Sequence, residues 1–148
     1  MKLTKLEKSW VLYDIGNSAF ILMISTVIPI YFKNIAQSVG VSPSDSTAYW
    51  GYAASLVTII IAILGPVLGS IGDHKGYKKK FFTAFMLLGV VGCAALAIPL
   101  NWIAFLAVFV IAKIGISGSL IFYDAMLPDI SADERMDEVS SFGYAFGY

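Results

Sequence analysis

The chain has 148 residues, of which 58% are apolar before its 13 glycines are counted and only 14% are charged. Soluble domains average roughly 45–50% apolar with glycine included and about 25% charged, so this composition, with a mean hydropathy of +0.79, excludes a water-soluble fold and describes a membrane protein. Ten Lys/Arg balance ten Asp/Glu, which excludes a nucleic-acid partner on charge, and the single cysteine, Cys93, excludes an intrachain disulfide.

Uncharged runs from Ile15 to Phe32 and from Ser46 to Gly72 each suffice for the roughly 20 helical residues that cross a bilayer core of about 30 Å. The first is too long for the apolar region of a signal peptide and has no small-residue cleavage site leading into a polar domain. The polar stretch from Lys33 to Ala48 is expected as a surface connection. The run from Phe81 to Ala112 is too long for one helix and contains Pro99-Leu100-Asn101, a stop and turn signal, so it reads as two helices in a hairpin. Lys113 separates it from the run Ile114 to Tyr123. The expected fold class is all-α, polytopic transmembrane helices, with four complete spans at residues 10–32, 49–71, 80–98 and 102–123. Pro128 is expected to end the fourth helix. Ser131 and Glu134 then have capping-box spacing for a short cytoplasmic helix through Val139. From residue 141 the chain turns apolar again, with Gly143 and Gly147 at GxxxG spacing, as the start of a fifth membrane helix. Two turns cannot cross a bilayer, so the chain reads as the N-terminal part of a longer protein.

Basic residues set the expected orientation. Lys2, Lys5 and Lys8 precede the first span, and Lys75, Lys78, Lys79 and Lys80 follow the second, whereas Lys33 is the only base between them. The positive-inside bias puts the N-terminus and the second loop in the cytoplasm, with the plasma (inner) membrane as the expected location.

The second helix carries a stripe of small residues, Gly51, Ser55, Thr58, Ala62, Gly65, Gly69 and Gly72, recurring every three or four positions. Such a stripe suits static helix packing or a sliding interface between moving bundles; periodicity alone leans to the static reading. Pro29 and Pro66 each remove a ladder hydrogen bond within a predicted helix.

Two charges fall within the predicted spans. Lys113 lies near the middle of the fourth, where a charge costs roughly 2.5–3.5 kcal/mol on insertion scales and marks a substrate or ion path unless it is paired or snorkels. Asp14 lies one turn inside Trp10 on the first, and Asn17 and Ser18 extend its polar face, either towards that path or as an interfacial cap beside Trp10 and Tyr13. A direct Lys113–Asp14 pair requires the lysine to reach downward. No enzyme chemistry, cofactor or metal is expected, because His74 and Cys93 stand apart and no ligand cluster, phosphate loop or nucleophile with a base is present.

Gly69-Ser70-Ile71-Gly72-Asp73-His74-Lys75-Gly76-Tyr77-Lys78-Lys79 resembles the signature loop between helices two and three of the major facilitator superfamily, with Gly69, Asp73, Gly76 and Lys78 matching and His74 and Tyr77 standing where a base is usual. Trp10 to Phe20, Pro29 to Phe32, Phe122 to Pro128 and Val139 to Gly143 are similar to the vacuole-effluxer-like branch of that superfamily, although Asp124 occupies a position where asparagine is more usual. Fungal members of the branch export amino acids from the vacuole. The resemblance implies a carrier of twelve or more helices built from inverted three-helix repeats, in which helices one and four line a central cavity. It implies a signature-loop aspartate, Asp73 here, that engages a helix end in the other half of the carrier. The expected function is secondary active transport of a small polar solute, with Asp14, Asn17, Ser18 and Lys113 on the pathway. The lipid bilayer, the solute, a coupling ion and further helices of the same carrier are the expected partners. The alternative is a complete four-helix membrane protein acting as a homo-oligomeric exporter or as a non-transporting assembly factor.

Overall fold

The computed structural model describes residues 3–72 and 76–147. They form five helices: α1 (Lys5–Ser38), α2 (Pro43–Gly72), α3 (Lys78–Ala95), α4 (Trp102–Ile130) and α5 (Asp133–Gly147). Local chemistry sets their ends. Thr4 opens α1 with a capping box, its hydroxyl accepting from the Glu7 N–H at 3.2 Å while Glu7 Oε2 accepts from the Thr4 N–H at 2.7 Å. Gly40, at a φ of 90°, reverses the chain after α1, and the Val41 N–H closes the turn on the Ala36 carbonyl. Ser42 Oγ accepts from the Asp45 N–H to start α2, whose first residue is Pro43. These tight caps correct the expectation of a surface connection from Lys33 to Ala48: both helices extend into it, and the link is Val39–Ser42.

Three helices, α1, α2 and α4, are long and apolar enough to cross a membrane. The 18 residues of α3 open on three lysines, leaving roughly 22 Å of uncharged helix at 1.5 Å per residue. The expected third span, 80–98, is therefore shortened at its far end. Past Ala95 the bonding tightens to i→i−3, with Ala97 N–H on Ala94 and Ile98 N–H on Ala95, because the residue before Pro99 is pushed out of the α region. Asn101 Oδ1 then accepts from the Ala104 N–H and restarts the chain as α4.

At the other end of α4, Pro128 does not stop the helix, which continues to Ile130. A proline so close to the terminus forfeits only one ladder bond. The predicted capping box of Ser131 and Glu134 does not form either. Ser131 Oγ donates instead to Glu7 Oε1, and α5 begins at Asp133. The short helix through Val139 and the apolar turns from residue 141 are one helix, since Ser141 bonds back to the Asp137 carbonyl without breaking the ladder.

α4 is the central helix, packing against α1, α2, α3 and α5. Its contact with α3 is the tightest in the protein. A Cβ on Gly92 would lie 2.8 Å from Ala112 Cβ, and one on Gly89 would lie 2.7 Å from Ile116 Cγ1 and 3.0 Å from its backbone nitrogen. A Cβ on Gly115 would strike the Gly89 backbone and the Phe85 carbonyl. Small residues on both sides thus bring the two backbones together, as membrane helices require when water supplies no drive for association. The stripe on α2 behaves differently: a Cβ on Gly72, at its end, would lie 3.6 Å from the Phe122 ring, but nothing among the described residues lies within 4 Å of a Cβ built on Gly51, Gly65 or Gly69, so most of that face is left open.

Two apolar clusters fill the interior. One gathers Ile24, Ile28, Phe32, Ala53, Phe105 and Phe109 between α1, α2 and α4; the other gathers Trp10, Val11, Tyr123 and Val139 where α1, α4 and α5 meet.

Candidate functional site

The polar residues of α1 and α4 are divided between two cavities, one bordering each cluster. The upper cavity, about 410 Å³, lies between α1, α2 and α4, with Ser25, Trp50, Thr58, Phe109, Lys113 and Ser117 on its walls. Trp50 packs on Phe109 with ring centroids 4.2 Å apart, which gives the cavity an aromatic wall opposite apolar Ile24 and Val57. Lys113 is half-buried, and among the described residues it has no carboxylate within ion-pair distance.

The lower cavity, about 230 Å³, lies between α1, α4 and α5, and Asp14, Asn17, Asp124, Ser140 and Tyr144 line it. Trp10 and Tyr123 form its rigid end. Their rings stack at 4.3 Å and 12°, the indole N–H donates to the Tyr123 carbonyl at 3.3 Å, and the Tyr123 hydroxyl donates back to the Trp10 carbonyl at 3.2 Å. Tyr13 packs beside them on Tyr123 and Phe82 and shares a 2.7 Å hydrogen bond with Ser119. Ser18 Oγ donates to the Asp14 carbonyl at 3.0 Å.

The predicted pathway residues are thus brought together only in part. Asp14, Asn17 and Ser18 form one group; Lys113 belongs to the other cavity, and the Lys113–Asp14 pair does not form. The residue of α4 that shares the cavity with Asp14 is Asp124, whose position at the start of Asp124-Ala125-Met126-Leu127-Pro128 carries no sign of that neighbour more than a hundred residues away.

The GxxxG pair of α5 faces this group. A Cβ on Gly143 would sit 2.8 Å from Asp14 Oδ2 and 3.1 Å from the Trp10 ring, and one on Gly147 would sit 2.8 Å from Ser18 Oγ. Gly143→Val is expected to push α5 off α1, exposing Asp14 to faster carboxyl modification while the α3–α4 contact stays intact. Trypsin or carbodiimide mapping by mass spectrometry checks both halves of that outcome.

Two polar links tie the helix ends on the side of the N-terminus. Glu7 is buried and receives the Thr4 N–H, the Ser131 hydroxyl at 3.2 Å and the Arg135 guanidinium at 3.2 Å, so α1 is fastened to the start of α5. The Thr4 backbone N–H holds the Glu7 carboxyl, three residues before the Trp10 that opens the span, below its usual range. That contribution is present above the ordinary carboxylate pKa and is lost as pH falls through the lowered value. In the signature loop, Gly76 adopts a left-handed φ of 88°. Lys78 Nζ reaches the C-terminal end of α4, meeting Asp129 Oδ2 at 2.8 Å and the Ala125 carbonyl at 3.0 Å, where a cation complements the exposed carbonyls. Gly69 is open to its surroundings; Asp73, with His74 and Lys75, lies outside the described residues.

Comparison with known proteins agrees with this architecture. Residues 43–143 match the family described as vacuole effluxer Atg22 like. The chain is 46% identical to the uncharacterized MFS-type transporter YxiO of Bacillus subtilis (strain 168) over 99% of its own length and 35% of that protein. It is 30% identical to a lactose permease of Lactobacillus helveticus over 86% of its length and 22% of that protein. The chain therefore spans about a third or less of these relatives. No solved structure matches it. With its apolar helices and a family match over most of its length, the chain belongs to the Atg22-like vacuole effluxer family of major facilitator superfamily transporters.

Proposed function

We propose that the chain furnishes the first helices of a secondary active transporter that moves a small polar solute by alternating access. Its coverage of only 35% of the YxiO relative supports a larger carrier completed by further helices. In this reading α1 and α4 face the translocation pathway, the N-terminus is cytoplasmic, and the carrier sits in the plasma (inner) membrane. Gly69, Asp73, Gly76 and Lys78 form the loop that biases one conformation, and the open small-residue face of α2 slides against helices outside this chain.

The observation that carries the reading is Lys113. An ammonium in the middle of an apolar helix, half-buried, opening on a cavity and lacking a carboxylate partner among the described residues, is the kind of intramembrane charge that marks a substrate or ion path. It suits an anionic or hydroxyl-bearing group of a solute. Asp14, Asn17 and Ser18 extend the pathway one cavity further towards the cytoplasmic side.

Uptake by vesicles containing the full-length protein tests this, with radiolabelled amino acids and lactose as first probes. For a transported probe, Lys113→Ala is expected to lower initial uptake on the order of tenfold or more, the loss typical of an intramembrane charge on a substrate path, and Lys113→Arg to recover part of it. Wild-type uptake in Lys113→Ala and Asp14→Asn removes both residues from the pathway.

A further inference from the structure

The lower cavity has two carboxylates that none of the described residues balances with a positive charge. Asp14 and Asp124 face it from different helices, within electrostatic reach of one another, and none of the described residues around it is a lysine, arginine or histidine. The ion pairs among the described residues, Lys78–Asp129 and Arg135–Glu7, lie elsewhere. Several neighbouring donors are committed: the Trp10 indole and Tyr123 hydroxyl to each other's backbone carbonyls, Tyr13 to Ser119, and Ser18 to the Asp14 carbonyl.

An independent sign comes from Asn17. It is only 8% exposed, it stands on the cavity wall, and its Oδ1 accepts no hydrogen bond. Buried acceptors are nearly always satisfied, so an orphan beside two unpaired carboxylates marks a place for something positive. The glycines of α5 keep that place open, since a Cβ at Gly143 would crowd Asp14 Oδ2 at 2.8 Å.

We propose that the lower cavity is a binding site for a small monovalent cation, held by the carboxylates of Asp14 and Asp124 and by Asn17 Oδ1. Calcium takes six to eight oxygen ligands and magnesium retains an ordered shell of waters, more than three side chains in a cavity of about 230 Å³ supply. Sodium ion and a primary ammonium group share the required chemistry. The site deepens the transport reading and rests on it only for its role in coupling; binding itself is independent of it.

Binding of radiolabelled Na⁺, and separately of radiolabelled methylammonium, to the purified full-length protein tests the site. Saturable binding is expected, weakened on the order of tenfold or more in Asp14→Asn and Asp124→Asn, weakened less in Asn17→Ala, and unchanged in Asp45→Asn, whose carboxylate is on the exposed start of α2. Na⁺ dependence identifies an inorganic coupling ion; dependence on methylammonium alone identifies the ammonium group of a solute. Should an aspartate variant fail to fold, the unmodified protein decides: the bound cation must slow carbodiimide labelling of Asp14 and Asp124. Binding of neither probe, wild-type binding in both aspartate variants, or labelling indifferent to cation overturns the proposal. Transport without cation binding overturns this site alone, whereas cation binding without transport overturns the transport reading alone.

Discussion

Gly115→Leu is expected to separate α3 from α4 and to abolish accumulation of folded protein. The reason is the identity of the atoms in the way. A Cβ on Gly115 meets the backbone of Gly89 and the Phe85 carbonyl, none of which can rotate aside as the tip of a side chain could. Inserting even one methyl into a packed interior typically costs about 1–3 kcal/mol, and here the only relief is movement of a whole helix. Gly115→Ala should therefore lower the thermal midpoint in detergent substantially, and leucine should prevent folding. The comparison that gives this force is Gly65→Ala on α2, where nothing among the described residues lies within 4 Å; its expected effect on stability is within about 0.5 kcal/mol, as for surface substitutions. If the α2 face slides against helices outside the chain, Gly65→Leu slows uptake while leaving the Gly115-dependent packing intact. Equal destabilisation at Gly65 and Gly115 contradicts this assignment of faces.

Those two glycines also show where the sequence is legible and where it is not. Composition and uncharged run lengths were enough for an all-helical membrane chain, because bilayer thickness translates directly into a residue count. The stripe on α2 is visible as periodicity, yet periodicity says only that a helix has a small face, and in this chain that face is open. The close contact between α3 and α4 was passed over, since Gly89, Gly92, Gly115 and Gly118 are scattered through two apolar runs and gain meaning only when the hairpin at Pro99 sets their register. The same distinction runs through the site. Asp14 was identified as a charge inside a helix, and the GxxxG pair of α5 as a packing motif, but not that each faces the other. In the sequence Asp124 stands out only as a departure from the more usual asparagine, and a Lys113–Asp14 pair is conceivable. What decides otherwise is height along the bundle: Lys113 stands about three turns, roughly 16 Å, from Asp124 on α4 at 1.5 Å per residue, and the two residues line separate cavities. Pro128 and Ser131 were misjudged for a local reason, since one lost bond near a terminus is cheap and a hydroxyl bonds to whichever acceptor the fold brings, here Glu7 from the far end of the chain.

Trp10→Ala should be the most damaging single truncation in α1. The ring is buried, stacked 4.3 Å from Tyr123, and in contact with the position of Gly143 on α5, so it joins three helices beside the lower cavity. Large aromatic truncations in packed interiors cost about 3–5 kcal/mol. Trp10→Phe separates the components: it retains a ring to stack on Tyr123 but removes the indole N–H that serves the Tyr123 carbonyl, a bond worth about 1 kcal/mol net. Tyr123→Phe removes the reciprocal bond to the Trp10 carbonyl and leaves the stack. Thermal midpoints for the two phenylalanine variants and their combination form a double-mutant cycle. Because the two bonds brace the same pair of rings, the combined loss should differ from the sum of the single losses, as is usual for residues in one network. Strict additivity indicates that α1 and α4 are held here by the ring stack alone. The cavity supplies the second readout. Trp10 and Tyr123 both line it with Asp14 and Asp124, so loosening the clamp widens the separation of the two carboxylates, and cation affinity should fall in Trp10→Ala at temperatures well below its unfolding midpoint.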